Sequence, residues 1–462
     1  YIGPGRVLSR SYQNGVLLQA EYDGDQRISS WTHLKGGAIV AGFAYTHDRE
    51  SNILSEERLH AQHKDLWVYD SLYRLAEQKR NVHAKTGKVE EERSWALDGA
   101  GSWASLQIAS KKQSTTLTQT MDSLNAYTAF AGTAQVEDLD GNKTDDGQYL
   151  YRWDFLHRLR EVLRKADNAL VSTALYDATG SQGLNGSGRR VRKTVLNSGS
   201  LNEDIRYLYD GALCIEERDA SGRVLRQYVD AGLGQHLCMD VYKPNGRLEQ
   251  TLFYHEDAKG WVAALSDKKG EVQERTSYDA YGATSFLDKD GNLLKDQSRS
   301  DVGNPFLYGG SRLDAETGLY AMGHRMYSPQ QGRFYSRDPI GIWEDINNHG
   351  NGYAYVNNNP IGWHDMIGLR NCCDYTINAT TCKQVIAAIT NLNFVISVYQ
   401  QVVTTPNKTW RGYLDRLKAS GLRQVGMPGA VKPMKNTPQY EATREIEFSI
   451  TETISSASAL AW

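Results

Sequence analysis

Cysteine and proline are scarce in this chain of 462 residues, with 5 and 10 copies respectively. The cysteines are odd in number and have no repeated spacing, which excludes a disulfide framework as the basis of the fold. Cys372, Cys373 and Cys382 lie close together, but no histidine or fourth cysteine is nearby to complete a metal site. We therefore expect reduced thiols, no metal and no cofactor.

Long apolar runs are also missing, since no segment reaches the roughly 18 apolar residues of a membrane-spanning helix. The net charge of -3 does not indicate a nucleic-acid or membrane binder. Residues 1–369 carry 42 Lys and Arg against 49 Asp and Glu, whereas residues 370–462 carry 10 against 6. The sequence thus indicates an acidic body with a basic tail. Because Tyr1 is not an initiator methionine, we expect a piece of a longer protein.

Tyrosine and glycine, in contrast, are abundant, with 27 and 42 copies. Tyrosine suits half-buried strands, and glycine without proline suits tight turns. A Tyr-Asp step followed by a turn, and often by an arginine, recurs along the first 335 residues. Its copies are Tyr22-Asp23, Tyr69-Asp70, Tyr176-Asp177, Tyr209-Asp210 and Tyr278-Asp279. We expect each aspartate to cap its turn through the carboxylate and each tyrosine to anchor the strand before it.

Further turn signals are Asp140-Gly141, Asn245-Gly246 and Asp290-Gly291, which predict hairpins because both central residues can take positive φ. A single hairpin cannot bury a core, so such units must stack side by side. Their irregular spacing argues against a solenoid of constant pitch. The sequence therefore predicts a mainly β protein, a large curling antiparallel sheet with a small, partly helical C-terminal domain.

Two similar pentapeptides end this body: Asp338-Pro339-Ile340-Gly341-Ile342 and Asp365-Met366-Ile367-Gly368-Leu369. Two carboxyl groups can hydrolyse a peptide when one activates water and the other donates a proton. Asp338 and Asp365 are the candidate pair, and Arg337 is a candidate supporting residue. The glycine three residues after each aspartate permits a tight turn that exposes the acid. The alternative is that each aspartate only hydrogen-bonds the backbone of its own turn.

The repeats and the segment after them resemble the tyrosine-aspartate (YD) repeats and core-end signature of the Rhs family. The residues that carry the core-end resemblance are Gly318-Leu319-Tyr320, Arg325-Met326-Tyr327-Ser328-Pro329, Gly332-Arg333-Phe334, Arg337 to Gly341, Tyr353-Ala354-Tyr355, Asn358-Asn359-Pro360 and Asp365 to Leu369. The resemblance implies a β-sheet cocoon around a toxic C-terminal domain. It also implies a core-end aspartyl protease that cuts between Leu369 and Arg370.

Carried to this chain, the resemblance implies three parts. Residues 1–335 would form the cocoon wall, residues 336–369 the self-cleaving plug, and residues 370–462 the effector. The implied partners are the chain's own toxin inside the cocoon, a secretion-machinery component and a cognate immunity protein. The protein would be made in the bacterial cytoplasm and then secreted or injected into a target cell.

Residues 370–462 lack the Tyr-Asp theme and contain no histidine, which disfavours His-based metal nucleases and Ser-His or Cys-His hydrolases there. Apolar periodicity predicts helices at residues 385–403 and 410–422, and alternation predicts a strand at residues 444–454. The target of this effector is not readable from the sequence. Two alternatives stay open: a structural or adhesive repeat protein without protease activity, and a membrane-active tail.

Overall fold

The computed structural model describes residues 6–177, 189–339 and 350–368, all within one compact unit of the chain. In these residues three antiparallel sheets have twelve, fourteen and four strands, and the strand order in each sheet follows the sequence. Neighbouring strands are therefore consecutive in the chain, without crossovers. The predicted fold class, mainly β with large antiparallel sheets, is confirmed. The predicted elements of residues 370–462 lie outside the described residues.

The first sheet occupies roughly the first third of the chain. Its strands are β1 Ser9–Ser11, β2 Val16–Tyr22, β3 Ile28–Lys35, β4 Ala38–His47, β5 Ile53–Arg58, β6 His63–Tyr69, β7 Leu75–His83, β8 Glu91–Leu97, β9 Trp103–Ser110, β10 Ser114–Met121, β11 Tyr127–Phe130 and β12 Thr133–Ala134. The third sheet is small and precedes the candidate acids. Its strands are β27 Arg312–Asp314, β28 Leu319–Met322, β29 Arg325–Ser328 and β30 Arg333–Phe334.

The second sheet lies between these two in the sequence. Its strands are β13 Val136–Glu137, β14 Lys143–Asp145, β15 Tyr149–Trp153, β16 Leu159–Arg164, β17 Leu170–Tyr176, β18 Arg190–Val195, β19 Glu203–Asp210, β20 Leu213–Asp219, β21 Val224–Gly232, β22 Gln235–Tyr242, β23 Leu248–Glu256, β24 Val262–Ser266, β25 Val272–Tyr278 and β26 Thr284–Leu287. Short 3₁₀ turns occur in the loops at Gly199–Leu201, Tyr308–Gly310 and Val356–Asn358.

The Tyr-Asp step builds one recurring hairpin turn. Between β6 and β7, Asp70 Oδ1 accepts hydrogen bonds from the backbone N–H groups two and four residues later, at 2.9 and 3.0 Å. Its Oδ2 accepts from Arg74 Nε at 2.7 Å, and Arg74 Nη1 donates to the carbonyl of Asp98 in another turn at 2.8 Å. Tyr69 Oη donates at 2.8 Å to the carbonyl of Ile53. Each hairpin turn is thus hydrogen-bonded to an earlier part of the chain through its tyrosine and to a later part through its arginine.

The same bonds recur elsewhere in both large sheets. Asp23 binds Arg27 in the first sheet, and Asp177 binds Arg189 in the second. Both arginines also donate to a backbone carbonyl at least 21 residues further along the chain. The predicted roles of the aspartate as turn cap and the tyrosine as strand anchor are therefore confirmed for Tyr22-Asp23, Tyr69-Asp70 and Tyr176-Asp177.

The predicted hairpins at Asp140-Gly141, Asn245-Gly246 and Asp290-Gly291 are present. Only the glycines have positive φ, at 82°, 77° and 89°. The N–H of each glycine donates to the carbonyl three residues earlier, as in a type I turn followed by a left-handed bulge residue. The bulge thus supplies the required twist with one positive-φ residue in each hairpin.

An aromatic core joins the three sheets. Its buried members include Trp67, Trp95 and Trp103 of the first sheet, Tyr278 of the second, and Tyr320, Tyr327 and Tyr355 near the chain's end. Tyr353, two residues before Tyr355, is buried as well. Cys214 and Cys238, the two cysteines in the described residues, are free thiols.

Two histidines meet where the first and second sheets contact each other. The Nδ1 atoms of His33 in β3 and His255 in β23 are 3.1 Å apart. Burial lowers the pKa of His33 to about 4 and lowers that of His255 well below its ordinary value. Both imidazoles are therefore neutral at pH 7, and their contact depends on that neutrality.

Candidate catalytic acid pair

The candidate site forms where the last described segment, residues 350–368, packs on the turn between β28 and β29. His324 N donates to the carbonyl of Ile367 at 3.0 Å. Gly323 and Gly368 have φ of +53° and +67°. A Cβ on Gly323 would lie 2.4 Å from the Ile367 carbonyl oxygen, and one on Gly368 would lie 2.3 Å from that of Met322. Both positions therefore require glycine for this close backbone approach.

The two candidate aspartates are buried, with side chains 2% exposed at Asp338 and 1% at Asp365. Asp365 Oδ1 accepts hydrogen bonds from the backbone N–H groups of Ile367 at 3.3 Å and Gly368 at 2.8 Å. Asp338 is held by its own N–H, which donates to the Gly352 carbonyl at 2.9 Å. The turn after Asp365 is tight as predicted, but it buries the acid instead of exposing it.

The structure brings the two acids together on one arginine. Arg325 Nη2 lies 3.0 Å from Asp338 Oδ2 and 3.2 Å from Asp365 Oδ2. The two carboxylate oxygens are therefore no farther apart than the sum of these distances. The remaining Oδ1 of Asp365 binds its own turn, so the backbone hydrogen bonds of the alternative interpretation are present together with the contact to Arg325.

Arg325 itself is fixed on three further sides. Its Nε donates to the carbonyl of Gly368 at 2.5 Å, and its Nη1 donates to the carbonyl of Gly352 at 3.2 Å. The guanidinium carbon lies 3.6 Å from the centre of the Phe334 ring. A planar guanidinium can satisfy several acceptors at fixed angles, which an ammonium group cannot. Arg325 therefore connects both acids to the chain immediately before Leu369.

Tyr355 and His364, beside the acids, are neutral near pH 7. Burial raises the pKa of Tyr355, and the nearby Asp365 carboxylate raises it further. Tyr355 Oη lies 3.2 Å from His364 Nδ1, and burial lowers the pKa of His364 to about 4.

Arg337, the predicted supporting residue, takes another place. Its Nε donates to Tyr353 Oη at 3.1 Å, and Tyr353 Oη donates to the carbonyl of Gly141 at 3.0 Å. Arg337 thus fastens the segment to the turn between β13 and β14. Sequence reasoning missed Arg325, which opens the motif Arg325-Met326-Tyr327. The sequence marks Arg325 only as an arginine directly after a glycine-containing turn, and this feature is too common to assign a role.

The asparagines between the acids fasten this segment to turns of the first sheet. Asn351 Nδ2 donates to the carbonyl of Ala100 at 3.1 Å, and Asn358 Nδ2 donates to that of Gly101 at 2.8 Å. Asn359 Nδ2 donates to Asn52 Oδ1 at 3.2 Å. The position of Asp365 therefore depends on strands more than 250 residues earlier in the chain.

The predicted cleavage residues, Leu369 and Arg370, lie outside the described residues. Among residues 6–177, 189–339 and 350–368, no group of three or more His, Cys, Asp or Glu side chains could hold a metal ion. The same residues contain no helix with the length and apolar character needed to cross a membrane.

Comparisons with known proteins agree with this architecture. No protein-family model matches the chain. Toxin protein Tse5 of Pseudomonas aeruginosa is 31% identical over 409 residues, covering 80% of this chain and 26% of Tse5. The probable deoxyribonuclease RhsA of Dickeya dadantii is 31% identical over 224 residues, covering 48% of this chain and 14% of RhsA. The chain spans less than half the length of the curated relatives it matches.

A solved structure gives the same fold. The Photorhabdus luminescens Tc holotoxin pore matches with a TM-score of 0.62 and 19% identity, over 80% of this chain and 19% of the compared chain. At this identity the match shows the fold, which here includes the large antiparallel sheets. Together with the Tyr-Asp turns and the curated relatives, it confirms the resemblance read from the sequence, which is to the Rhs/YD-repeat polymorphic toxin family.

Proposed function

We propose that this chain is part of an Rhs-type toxin that encloses its C-terminal effector and releases it by aspartyl self-cleavage after Leu369. The observation that carries the proposal is the meeting of two buried aspartates, Asp338 and Asp365, on Nη2 of Arg325. Asp365 is four residues before the proposed bond. An internal acid pair beside the chain to be cut is the arrangement that a self-cleaving protease needs.

The proposed reaction consumes one water. With a single proton shared by the two carboxyl groups, the ionised acid takes a proton from water as its oxygen adds to the Leu369 carbonyl carbon. The protonated acid then supplies a proton to the departing nitrogen, and the C–N bond to Arg370 breaks. The products are a carboxyl group on Leu369 and an amine on Arg370. The net proton content of the pair is unchanged at the end.

Cleavage within one chain makes modest demands on catalysis. A bond held beside the catalytic groups gains an effective concentration of about 10⁵ M or more over a free substrate. One turnover per molecule is sufficient. The cocoon wall and residues 350–368 therefore need only hold the Leu369–Arg370 peptide bond against the two acids long enough for one cleavage.

The toxin part of the proposal is supported by the relatives. Tse5 is named a toxin protein and RhsA a probable deoxyribonuclease, so similar repeat regions occur in proteins with toxic activities. We propose that residues 370–462 are the effector of this chain. Secretion or injection, a delivery-machine component and an immunity protein that neutralises the effector in the producing cell belong to the same proposal.

The test is expression of the unmutated chain beside Asp338→Asn and Asp365→Asn, with denaturing gels and mass spectrometry. The unmutated chain should yield two fragments, of which the smaller begins at Arg370. Each variant should stay intact or be cut at least about 100-fold more slowly, since acid–base catalysis contributes 10² to 10⁴ in rate. An asparagine at residue 365 still offers an Oδ1 to the turn, so the fold is spared while the acid is lost.

Asp279→Asn is the matched control. Asp279 is also buried, its Oδ1 also accepts two backbone N–H groups, and its Oδ2 also contacts an arginine, Arg93. This variant should be cut like the unmutated chain. An unmutated chain that remains in one piece would contradict the proposal and favour the structural or adhesive alternative. Equal cutting of the Asp338 and Asp365 variants would remove these two acids from the reaction.

A further inference from the structure

Lys259, in the turn between β23 and β24, is a fully enclosed lysine at the contact of the two large sheets. Its side chain is 0% exposed, and its Nζ lies 4.4 Å from the centre of the Trp261 ring. Tyr45 of β4 and Trp67 of β6 place their ring centres 5.5 and 5.9 Å from the same atom. The ammonium group therefore lies in an aromatic enclosure that both sheets build, away from bulk water.

Two carboxylates share this enclosure with the lysine. Asp257 Oδ2 lies 2.6 Å from Lys259 Nζ, and Oε2 of Glu56 in β5 forms an ion pair with the same atom. Asp257 Oδ1 accepts hydrogen bonds from two backbone N–H groups of its own turn, at 2.8 and 3.0 Å. Asp257 is therefore fixed within the turn, whereas Glu56 reaches Lys259 from a strand 203 residues earlier in the chain.

An ion pair in such a place is costly, because both charges lose their hydration. Burial raises the pKa of Glu56 against the opposing charge of Lys259. Burial also disfavours the charge of Lys259, but Asp257 and Glu56 outweigh it and raise the pKa of the ammonium group. The proton therefore rests on Lys259, and its transfer to Glu56 leaves a neutral amine beside a protonated carboxyl group. A desolvated neutral lysine is a nucleophile, and a protonated carboxyl group can accept its attack.

We propose that Lys259 and Glu56 condense to an amide and so join the first sheet to the second covalently. Nζ adds to Cδ of Glu56, and Asp257 takes a proton from the nitrogen and gives it to the departing hydroxyl. One C–N bond forms, one C–O bond breaks and one water leaves, so no oxidant, reductant or further reactant takes part. A cavity of about 30 Å³, bordered by Glu56, Asp257 and Trp67, has room for that water. The new N–H can donate to Asp257 Oδ2.

The position of this bond gives it a structural purpose. It would connect two strands of different sheets across 203 residues of chain, and reducing agents would not break it. The two cysteines of the described residues are free thiols, so this part of the chain has no disulfide to do the same. Because the groups are held in contact, one condensation per molecule needs little catalytic power. The bond does not depend on the proposed self-cleavage.

Lys193 is the matched comparison, since it is another buried lysine with two acids. Its Nζ lies 2.9 Å from Asp314 Oδ1 and 3.0 Å from Glu316 Oε2. Lys193 also borders a cavity of about 280 Å³, which is lined by further charged side chains. A cavity of this size and polarity admits water, and hydration keeps an amine and a carboxyl group ionised. Lys193 should therefore remain an unmodified lysine.

The test is the mass of the purified chain after denaturation and reduction, read on whichever product contains residues 56 and 259. This mass should be lower than the mass calculated from the sequence by one water. In a tryptic digest, residues 50–58 should be joined to residues 248–268, because trypsin no longer cuts after a modified Lys259. Trypsin should still cut after Lys193. A mass equal to that of the sequence, with Lys259 free, would overturn the proposal.

Variants assign the groups. Glu56→Ala should restore the mass calculated from the sequence. Asp257→Asn keeps the Oδ1 acceptor of the turn but loses the proton carrier, so it should link about 100-fold more slowly after a pulse of cell-free synthesis. Glu57→Ala is the control, because it alters the same strand and the same tryptic peptide without touching the enclosure, and its linked fraction should be unchanged.

The location of the water loss decides between the two acids. A loss confined to residues 248–268 would place the bond on Asp257 and overturn the assignment to Glu56. Equal linkage in Glu56→Ala and the unmutated chain would do the same. Because the mass of the unmutated chain is itself decisive, a variant that fails to fold does not weaken the test. Neither result bears on the proposed self-cleavage, which is scored by the fragment that begins at Arg370.

Discussion

Asp70 in the repeats and Asp365 in the last described segment begin from the same local chemistry. In each, Oδ1 accepts hydrogen bonds from backbone N–H groups of its own turn. Oδ2 of Asp70 then meets Arg74 four residues away, whereas Oδ2 of Asp365 meets Arg325, 40 residues away. The Asp70 side chain is 27% exposed and that of Asp365 is 1% exposed.

The difference shows how one turn type serves two purposes. With a local arginine and a partly exposed carboxylate, the carboxylate is saturated and fastens neighbouring turns. With a distant, buried and shared arginine, the carboxylate is placed against a second acid. The proton affinity of an exposed ion pair is set mainly by water, whereas that of a buried group depends on its fixed neighbours. Asp70 and Asp365 therefore differ less in their own turns than in two other respects. These are how deeply each carboxylate is buried and how far along the chain its arginine partner lies.

Among the substitutions that test this difference between the two turns, Gly368→Ala should have the largest effect on stability. The new Cβ would meet the Met322 carbonyl and its backbone would be strained at positive φ. We expect a loss of about 3 kcal/mol in the docking of residues 350–368, from left-handed strain and overpacking together. Hydrogen exchange of these residues, measured in the Asp338→Asn background to keep the chain intact, reports this directly.

Gly246→Ala is the control for that strain. Gly246 has a φ of +77° but no atom within 4 Å of a new Cβ, so its substitution should cost only about 1–2 kcal/mol and affect only its own hairpin. Equal increases in hydrogen exchange from both substitutions would contradict this, because the close approach at Gly368 would then contribute nothing to the docking free energy. Residues 350–368 would be held no more firmly than a hairpin turn of the large sheets.

Low pH should destabilise both the contact between the large sheets and residues 350–368, because each contains a buried histidine. These histidines are His33 and His364. Burial lowers the pKa of each to about 4. Above pH 6.5 both are neutral whether folded or unfolded. Between pH 6.5 and about 4 the unfolded imidazole binds a proton that the folded one does not, so stability falls by about 1.4 kcal/mol per pH unit for each histidine.

Hydrogen exchange between pH 7 and 5, corrected for intrinsic exchange, checks this in each region separately. His364→Asn should flatten the pH dependence of residues 350–368. His33→Asn should reduce that of β3 and β23, where His255 remains. The Asp338→Asn background again keeps the chain whole. A pH dependence unchanged by either substitution would mean that these imidazoles are not held neutral by the fold.

The smallest effect is expected at Asp70, where the ion pair is accessible to water. Asp70→Asn keeps the Oδ1 acceptor and should cost the hairpin about 0.5 kcal/mol, whereas Asp70→Ala loses the turn bonds as well and should cost about 1–2 kcal/mol. Exchange of the β6–β7 hairpin measures both. Neither substitution should change the cleavage rate. A cleavage defect in Asp70→Asn as large as that of Asp365→Asn would erase the proposed difference between the two turns.

Sequence reasoning succeeded where the physical cause is local. The Asp70 turn and its arginine are decided within four residues, so the Tyr-Asp step predicted them correctly. The pair Asp338 and Asp365 was found because two similar motifs repeat. Arg325 was not assigned, because its contacts with Gly352, Asp365 and Gly368 span 27, 40 and 43 residues and exist only once the strands have placed them.

The strand order described for the large sheets has a consequence for timing. Since each strand pairs with the one made just before it, these sheets can assemble progressively as the chain leaves the ribosome. The Asn358 amide, in contrast, must find the carbonyl of Gly101, 257 residues earlier. The two acids can therefore come together only after their surroundings are built, so that under the proposed function an unfinished molecule does not discharge its cargo.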